Sequence, residues 1–420
     1  MPEFLTLLPP DEARALLLSR LPAGTVDSEA IEVSASLNRT LADDILAPHP
    51  LPQFERTTVD GYAVRARDTF GASDSQPAYL TLIGEIPMGD APAFATAEGQ
   101  CALIHTGGML PVGADAVVML EFTQRVKENE IEIFRSAAEG ENLIRVGEDV
   151  AEGQLILPKG RVIRPAEIGG LFALGITSVR VARVVRVGLI STGDEIVSPQ
   201  EHPQPGQVRD VNSYTLSALI EKSGGVAKRY GIFSDQFDPL KDAAAQALSE
   251  CDVVIVTAGS SASTRDITAD VIRSLGEPGV LVHGINTRPG KPTILGVCNG
   301  KAVIGLPGNP VSALVNGYLF VVPVIEKLLG GTPRPRATVQ AKLIVNLPSQ
   351  AGREDWWPVK LRESPSPNGR GSRDEGEYHA EPIFGKSNLI FTLANADGLL
   401  KISADATGLS AGEIVEVQLI

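Results

Sequence analysis

The sequence predicts an α/β multidomain protein, in which a central, doubly wound and mostly parallel sheet domain is flanked by an inserted β-rich domain, a mixed N-terminal domain and a C-terminal β domain. Two observations predict the centre. Between residues 187 and 310, short runs of β-branched residues alternate with helical patterns, and Gly, Asp, Asn and Pro dominate the turns. A third observation predicts the β-rich flanking domains, because residues 54–142 and the residues after 336 show the pattern of short alternating strands.

Length and composition limit the possible functions. A chain of 420 residues is long enough for about two to four domains. Its formal net charge of -14 argues against broad contact with nucleic acid or with an anionic membrane, so we expect neither partner. The three cysteines are widely spaced, the five histidines lack zinc-ligand spacing, and the chain does not open with a signal-peptide pattern. We therefore expect a cytoplasmic protein without a disulfide framework.

Breaks in the pattern predict the domain boundaries. A proline-rich stretch at 47–52 marks a domain crossing, 330–335 reads as a linker, and the polar residues 364–376 predict a loop without chemistry of its own. The predicted domains are a mixed N-terminal domain at 1–48 plus 143–183, an inserted β-rich domain at 49–142, the sheet domain at 184–330 and a C-terminal β domain at 336–420.

Outside the sheet domain, the elements are predicted from caps and alternation. Asp11 is the predicted N-cap of an opening helix, and Gly175 is predicted to end a helix over 165–174. The clearest strands in the flanking domains are 79–83, 100–104, 116–120, 130–134, 337–347 and 413–419.

Within the sheet domain, four apolar runs are interpreted as buried parallel strands, at 184–190, 252–257, 280–283 and 301–305. Asn299-Gly300 predicts a hairpin, and hence an antiparallel piece of this sheet. The helices are predicted at 212–223 (capped by Asn212), 238–249, 266–275 and 311–329. The last helix is strongly apolar, but its interruption by Asn316, Gly317 and Pro323 favours a buried helix, kinked at the proline, over a membrane span.

The turns after these strands are the expected place for a binding site, because ligands of open α/β sheets bind outside the carboxyl ends of the strands. In one turn, Arg288 and Lys291 flank Gly290, whose backbone allows close approach, so the turn suits phosphate or another oxyanion. The alternative is a solvated basic turn.

A second turn, formed by Pro307, Gly308 and Asn309, leads directly into the last helix. Free backbone N–H groups at a helix start can face an anion, and Ser312 adds a donor there. An ordinary capped helix is the alternative. Neither a Walker A loop nor a GxGxxG dinucleotide motif is present.

Carboxylates follow the same strands. Asp194 and Glu195 follow the first strand, and Asp235 and Asp266 follow later ones. In a doubly wound sheet these strand ends converge, and clustered carboxylates beside an oxyanion site are what Mg²⁺ bridging a phosphate requires. Each aspartate alone could instead cap a helix, Asp266 in particular.

The β-rich insertion and the segment that follows it contribute weaker candidates. Asp60 precedes Gly61 in a turn, and Thr106, followed by two glycines, could present a hydroxyl and backbone amides to an anion. Asp149 ends a charged turn that is interpreted as solvent-exposed on its own. The absence of a Gly-x-Ser-x-Gly motif argues against a Ser-His-Asp hydrolase.

Taken together, these motifs resemble the molybdopterin molybdenumtransferase family, which includes the bacterial MoeA proteins and the E domain of gephyrin. The resemblance covers nearly the whole chain, in order. Its motifs are Asp60-Gly-Tyr-Ala-Val64, Thr106-Gly, Gly147-Glu-Asp149, Ser191-Thr-Gly-Asp-Glu195, Asp210-x-Asn212, Asp235, Asp266, Pro289-Gly-Lys-Pro292 and Gly305-Leu-Pro-Gly-Asn-Pro-Val-Ser-Ala313.

The resemblance implies a four-part subunit with a sheet domain like that of the molybdopterin-adenylating proteins. It implies an elongated homodimer whose active cleft combines the sheet domain of one subunit with the β-rich insertion of the other. The implied reaction is the Mg²⁺-dependent insertion of molybdate into adenylylated molybdopterin, with release of AMP. The molybdopterin adenylyltransferase is then an expected partner.

The residues and the resemblance together predict the site. The predicted catalytic residues are Asp60, Glu195, Asp235, Asp266 and Lys291. The predicted magnesium ligands are Asp149, Asp194, Glu195, Asp235 and Asp266. The predicted substrate-binding residues are Thr106, Ser191, Thr192, Gly193, Gly259, Ser260, Arg288, Gly290, Pro307, Gly308 and Asn309.

The chain departs from the family pattern at three places. The family turn Ser-Gly-Gly-Val-Ser-Val-Gly is here Ala258-Gly-Ser-Ser-Ala-Ser-Thr264, the usual Ala-Pro after Thr-Gly is Gly108-Met109, and Arg288 replaces lysine, which favours bidentate oxyanion contact. The choice between molybdate and tungstate stays open. Two other functions also remain: a pterin- or nucleotide-binding adenylyltransferase or hydrolase, and a non-catalytic cofactor carrier or scaffold.

Overall fold

In a computed structural model, the structure describes residues 7–22, 26–258, 262–332, 335–363 and 378–420, with backbone only for 262–266. The first elements are α1 (Pro10–Arg20), β1 (Ser28–Glu32) and β2 (Ile45–Leu46). The predicted N-cap of α1 is wrong: the helix begins at Pro10, and Asp11 lies in its first turn, where it pairs with Arg14 at 2.6 Å. Proline suits a first helical position because it has no N–H to satisfy there.

The β-rich insertion forms one six-stranded sheet around two small apolar clusters. The short strand β3 (Arg56–Thr57) precedes this sheet. The strands of the sheet are β4 (Gly61–Val64), β5 (Ala78–Ile86), β6 (Gln100–Ile104), β7 (Ala116–Met119), β8 (Thr123–Lys127) and β9 (Glu130–Ile133). The order across the sheet is β7-β4-β6-β5-β9-β8. Four of these strands were predicted from alternation alone.

The chain then returns to the N-terminal strands. Its elements there are β10 (Leu143–Ile144), β11 (Leu155–Leu157), α2 (Pro165–Ala173) and β12 (Ser178–Ala182). β12 pairs with β1 and β11 pairs with β2, both antiparallel. Gly175 ends α2 with a φ of +70°, as predicted.

The sheet domain follows the predicted alternation of strands and helices. Its strands are β13 (Val185–Thr192), β14 (Ile196–Val197), β15 (Val208–Arg209), β16 (Gly225–Phe233), β17 (Val253–Ala258), β18 (Pro278–His283), β19 (Thr287–Arg288), β20 (Ile294–Cys298) and β21 (Lys301–Pro307). Its helices are α3 (Asn212–Lys222), α4 (Phe237–Glu250), α5 (Ala262–Ser274), α6 (Pro310–Asn316) and α7 (Val322–Leu328), with a π-helical turn, Gly317–Val321, between the last two.

The doubly wound, mostly parallel sheet is confirmed. Its order is β16-β13-β17-β21-β20-β18, and the first four strands are parallel. Asn299 and Gly300, with φ of 53° and 80°, turn the predicted hairpin between β20 and β21. β18 was interpreted as a parallel strand, but its partner is the reversed strand β20, so this pairing is antiparallel.

Helices cover both faces of this sheet. One apolar core lies under α3, α6, α7 and also α1, whose Ala13 and Leu17 pack into it together with Leu21, the residue after the helix. A second core lies under α4 and α5 on the opposite face. The helix from Pro310 to Leu328 is long and apolar enough to cross a membrane, but 72% of its apolar window is buried in the first core. It is therefore a core helix, and its π-helical turn directly precedes α7, which contains Pro323.

The C-terminal strands close into a barrel. They are β22 (Thr338–Leu343), β23 (Leu347–Pro348), β24 (Glu354–Glu363), β25 (Tyr378–Pro382), β26 (Gly398–Ile402), β27 (Gly408–Leu409) and β28 (Ile414–Leu419), with the helix α8 (Phe391–Ala394). The pairs β24–β25, β25–β22, β22–β28, β28–β26 and β26–β24 complete the circle. β19 of the sheet domain pairs with β24 from outside. The loop predicted at 364–376 lies outside the described residues.

Candidate functional site

The predicted site turns gather at one edge of the sheet. Because β13, β16, β17 and β21 are parallel, their carboxyl ends all lie at this edge. The turn between β18 and β20, which carries Arg288 and Lys291, starts at the same edge, since β18 runs in the direction of the parallel strands.

The basic turn is held from behind by a residue that the prediction missed. Asn316 is fully buried, and its side-chain Nδ2 donates to the carbonyl of Pro289 at 3.2 Å. Gly290 has a φ of +107°, and a Cβ there would lie 1.7 Å from this same Nδ2. Thr293 adds a hydrogen bond to the Gly290 carbonyl at 2.8 Å. The turn is thus fixed, and only glycine fits at its centre.

A cleft of about 690 Å³ lies between this turn and the barrel. Among the described residues, its lining contains one carboxylate, that of Asp355, and four cationic side chains, those of Arg288, Lys291, Arg353 and Lys386. Asn309 and Ser312 from the start of α6 line it as well, and the backbone of Ser387 accepts a hydrogen bond from Val311 N at 3.0 Å. The cleft therefore combines net positive charge with neutral polar groups, which suits a phosphate-like anion.

The carboxylates form a second group at the ends of β13 and β16. Thr192 Oγ1 donates to Asp235 Oδ1, and the backbone N–H of Asp235 donates to Asp194 Oδ1 at 3.4 Å. Gly193 lies between them, where a Cβ would come within 2.9 Å of Glu195 Oε2. Asp194, Glu195 and Asp235 are thus neighbours, and none of them is in the lining of the cleft.

Ser191 and Asn212 hold the loops around this edge. Ser191 Oγ donates to Asp210 Oδ2 at 2.8 Å, and Asp210 Oδ1 accepts from Ser213 N at 3.1 Å. The N-cap position of α3 is Val211, not Asn212, which corrects the predicted cap, and Asp210 just before it accepts from the first turn of the helix. Asn212 is the first helical residue, and its Nδ2 donates to the Gly308 carbonyl at 2.8 Å. This bond ties α3 to the turn that precedes α6.

The carboxylates at this edge fit Mg²⁺ only if the substrate supplies some of the ligands of the ion. Among the residues with described side chains, no three His, Cys, Asp or Glu groups are placed to hold a metal ion. Mg²⁺ keeps several waters and commonly takes only one or two carboxylates together with substrate phosphates. The adjacent Asp194 and Asp235 suit that role, whereas a preformed protein cage is not present in this part of the chain.

The predicted residues of the insertion, and Asp149 in the segment after it, are not in the cleft lining. Asp60 Oδ1 accepts from the backbone N–H of Thr106 at 2.8 Å and from its hydroxyl at 3.2 Å. These bonds to the ionised form lower the pKa of Asp60. Asp149 lines a separate cavity of about 250 Å³ beside Glu167.

Two further predicted positions fall on the turn after β17. Gly259 and Ser260 lie outside the described residues. The side chain of Asp266 is likewise not described, but α5 begins at Ala262, so Asp266 falls in its second turn and does not occupy the N-cap position.

A doubly wound sheet domain with a cationic cleft beside a closed barrel defines the class of this protein: a multidomain α/β protein whose cleft suits an anionic ligand. Family models assign the parts more closely. Residues 8–175 match the MoeA N-terminal region (domain I and II), 188–327 match a probable molybdopterin binding domain, and 340–420 match the MoeA C-terminal region (domain IV).

Relatives and solved structures are similar to this chain over nearly its full length. The molybdopterin molybdenumtransferase of Bacillus subtilis is 32% identical over 430 residues, covering 100% of this chain and 96% of its own. Two structures of the molybdopterin biosynthesis MoeA protein of Pyrococcus horikoshii superpose with TM-scores of 0.80 and 0.85 at 37% and 32% identity, and each covers 99% of this chain and at least 99% of its own. The chain belongs to the MoeA family of molybdopterin molybdenumtransferases, which are transferases of molybdenum cofactor biosynthesis.

Proposed function

We propose that this protein catalyses the Mg²⁺-dependent insertion of molybdate into adenylylated molybdopterin, with release of AMP. The observation that carries the proposal is the cleft between the basic turn and the barrel. Four cations line it in a chain of net charge -14, so positive charge is concentrated where the parallel strands end. Both proposed substrates are anions, and such a cleft attracts them locally.

The chain's own residues bind and orient these anions. Lys291 offers a point charge with three donors, whereas Arg288 offers a planar guanidinium that can contact two oxygens at once. Ser312 and Asn309 add neutral hydrogen-bonding groups at the start of α6, where the helix dipole also favours negative charge. Charge that develops on the departing phosphate is stabilised by these groups, and the proposal requires no nucleophilic side chain.

Mg²⁺ is proposed as a shared ion, held by Asp194 and Asp235 with Glu195 beside them, and by Asp266 from α5. The ion would supply charge compensation for the phosphate groups. Because the protein contributes few ligands, we expect Mg²⁺ to bind weakly without substrate.

Asp60 and Thr106 are proposed to act across a homodimer. They do not line the cleft of their own chain. A partner subunit could bring them to it, as the family resemblance implies. We further propose that this dimer works in the cytoplasm and receives its substrate from the molybdopterin adenylyltransferase.

AMP release tests the proposal. Purified protein is mixed with adenylylated molybdopterin and Mg²⁺, with molybdate, tungstate or neither, and AMP is quantified by chromatography. We expect oxyanion-dependent AMP release, reduced at least about tenfold in Lys291→Ala by loss of a charged contact. The preferred oxyanion follows from the same measurement.

The matched control is Lys360→Ala, an exposed lysine of β24 outside the cleft lining, which should release AMP at the unchanged rate. Tight binding of the pterin without AMP release under either oxyanion would overturn the proposal and favour a carrier. Release of AMP at the same rate without oxyanion would favour a hydrolase.

A further inference from the structure

We infer that Asp355 and Trp357, both from the barrel strand β24, position the Arg288 guanidinium for anion binding, so that the barrel sets the anion affinity of the sheet domain. The inference rests on the proposed function of the cleft and adds two positioning residues to it.

Asp355 is the first of these residues. It lies in the cleft lining, yet its side chain is only 1% exposed. Arg353 binds it through two hydrogen bonds, of 2.7 and 3.1 Å, and Ser349 donates to it at 3.0 Å. Arg288 Nη1 lies 3.9 Å from Asp355 Oδ2. One buried carboxylate therefore faces two guanidinium groups, and the cluster keeps a net positive charge.

Trp357 is the second positioning residue. The Arg288 guanidinium carbon lies 5.5 Å from the centroid of its ring, a cation–π distance. The ring is held in turn by the edge of Phe384, with centroids 5.7 Å apart and an angle of 71° between the planes. A planar guanidinium can stack on a ring and still direct N–H groups to a ligand, which a lysine ammonium cannot do in the same way.

Backbone pairing also holds Arg288 next to Asp355. Thr287 and Arg288 form β19, which pairs in parallel with Glu354 and Asp355 at the start of β24. The Thr287 hydroxyl donates to the Glu354 carbonyl at 3.2 Å. The first cation of the basic turn is thus anchored to the barrel, while Asn316 anchors the following residues to the sheet domain.

These contacts also explain why arginine stands where the family pattern has lysine. Asp355 and Trp357 together form a seat for a guanidinium. A purely structural role of Asp355 would be limited to holding Arg353, which directly precedes β24. The two roles predict different results when anion binding is measured.

The sign of the Asp355→Asn effect separates positioning of Arg288 from a simple effect of the Asp355 charge. Removing a negative charge from the cleft should strengthen anion binding if charge alone matters. If Asp355 positions Arg288, binding should weaken, by about fivefold. The probes are molybdate and, separately, AMP, titrated into the full-length protein by calorimetry. The matched control is Glu381→Gln, which removes the carboxylate that pairs with Arg362 of β24. It should leave both affinities unchanged.

A double-mutant cycle covers the case in which Asp355→Asn does not fold. Arg288→Lys and Trp357→Leu should each weaken anion binding by about five- to tenfold, and the double variant should be no weaker than either single one. Additive losses, unchanged affinity in either single variant, or tighter binding by Asp355→Asn would each overturn the inference. If the wild-type protein binds neither probe, it is the proposed anion cleft that fails.

Discussion

At the scale of single residues, Gly290 and Asn316 form a complementary pair. The glycine leaves space that the buried amide fills, and the amide holds the turn through the Pro289 carbonyl. Rigidity at this point matters because a binding residue that is displaced by about 1 Å loses much of its contribution. The fixed turn is what keeps Lys291 directed into the cleft.

Replacing Gly290 with alanine should therefore destabilise the fold by about 2–4 kcal/mol, since the new Cβ meets Asn316 and the backbone must hold a positive φ. Urea unfolding measures this as a lower transition midpoint. Gly300→Ala is the control: its φ is +80°, but nothing lies within 4 Å of the added Cβ. Only backbone strain remains there, worth about 1 kcal/mol. Equal losses in the two variants would contradict the role of Asn316.

At the scale of elements, the start of α2 depends on one buried carboxylate. Glu167 accepts hydrogen bonds from Arg161 and Arg164, each at 2.7 Å, and from the backbone N–H of Arg164 at 3.0 Å. The bond from the Arg164 side chain is the main cause that lowers the pKa of Glu167 to about 2, and Arg161 adds to it. Protonation of this group would release both arginines and the helix start together.

The pH dependence follows from this lowered pKa. A carboxyl whose pKa is lower in the folded state stabilises the fold above its ordinary pKa, and the contribution disappears as the pH falls toward 2. Because the arginines are partly exposed, we expect Glu167→Gln to cost about 2 kcal/mol at pH 7 and progressively less below pH 4.5. Urea unfolding at several pH values measures the difference. In Glu381→Gln, whose ion pair is exposed, the loss should be small at every pH.

Some of the elements were predictable from local sequence patterns and others were not. Strands with clear alternation, such as β6 and β9, and the hairpin at Asn299-Gly300 were predictable because their signals are local. β24 was missed because Trp356, Trp357 and Pro358 lie among buried residues in a strand without alternation. Barrel closure depends on pairings between distant segments, which a local pattern does not contain.

The candidate site shows the same limit. Arg288, Gly290 and Lys291 were predictable because a basic turn after a strand is a local signal, and they do line the cleft. Asn316 looked like an interruption of an apolar helix, although a buried amide in such a helix is itself a sign of a required hydrogen bond. Asp355 carried no signal of a role in the site, since the cleft residue that it faces, Arg288, comes from a distant part of the chain.

At the scale of the whole molecule, the proposed dimer can be tested by complementation. Asp60→Asn and Lys291→Ala should each reduce AMP release at least about tenfold in their homodimers. If each site takes Asp60 from one subunit and Lys291 from the other, a mixed dimer contains one site with neither change. An equimolar mixture that exchanges subunits should then regain about a quarter of the wild-type activity.

Mixing each variant with itself is the control, and sedimentation velocity verifies that dimers form. Lack of any recovery in verified mixed dimers would mean that both residues serve the same site from one chain, or that Asp60 serves none.

The cationic cleft in an otherwise acidic chain also has a kinetic consequence. At long range an anionic substrate meets the repulsion of a net charge of -14, and only within the cleft does it meet the four cations. Salt screens the distant repulsion first, because at 0.1 M ionic strength charges beyond about 10 Å are largely masked. Moderate salt should therefore speed substrate association, opposite to the usual slowing for oppositely charged partners, and stopped-flow mixing at increasing ionic strength would reveal a maximum in the association rate.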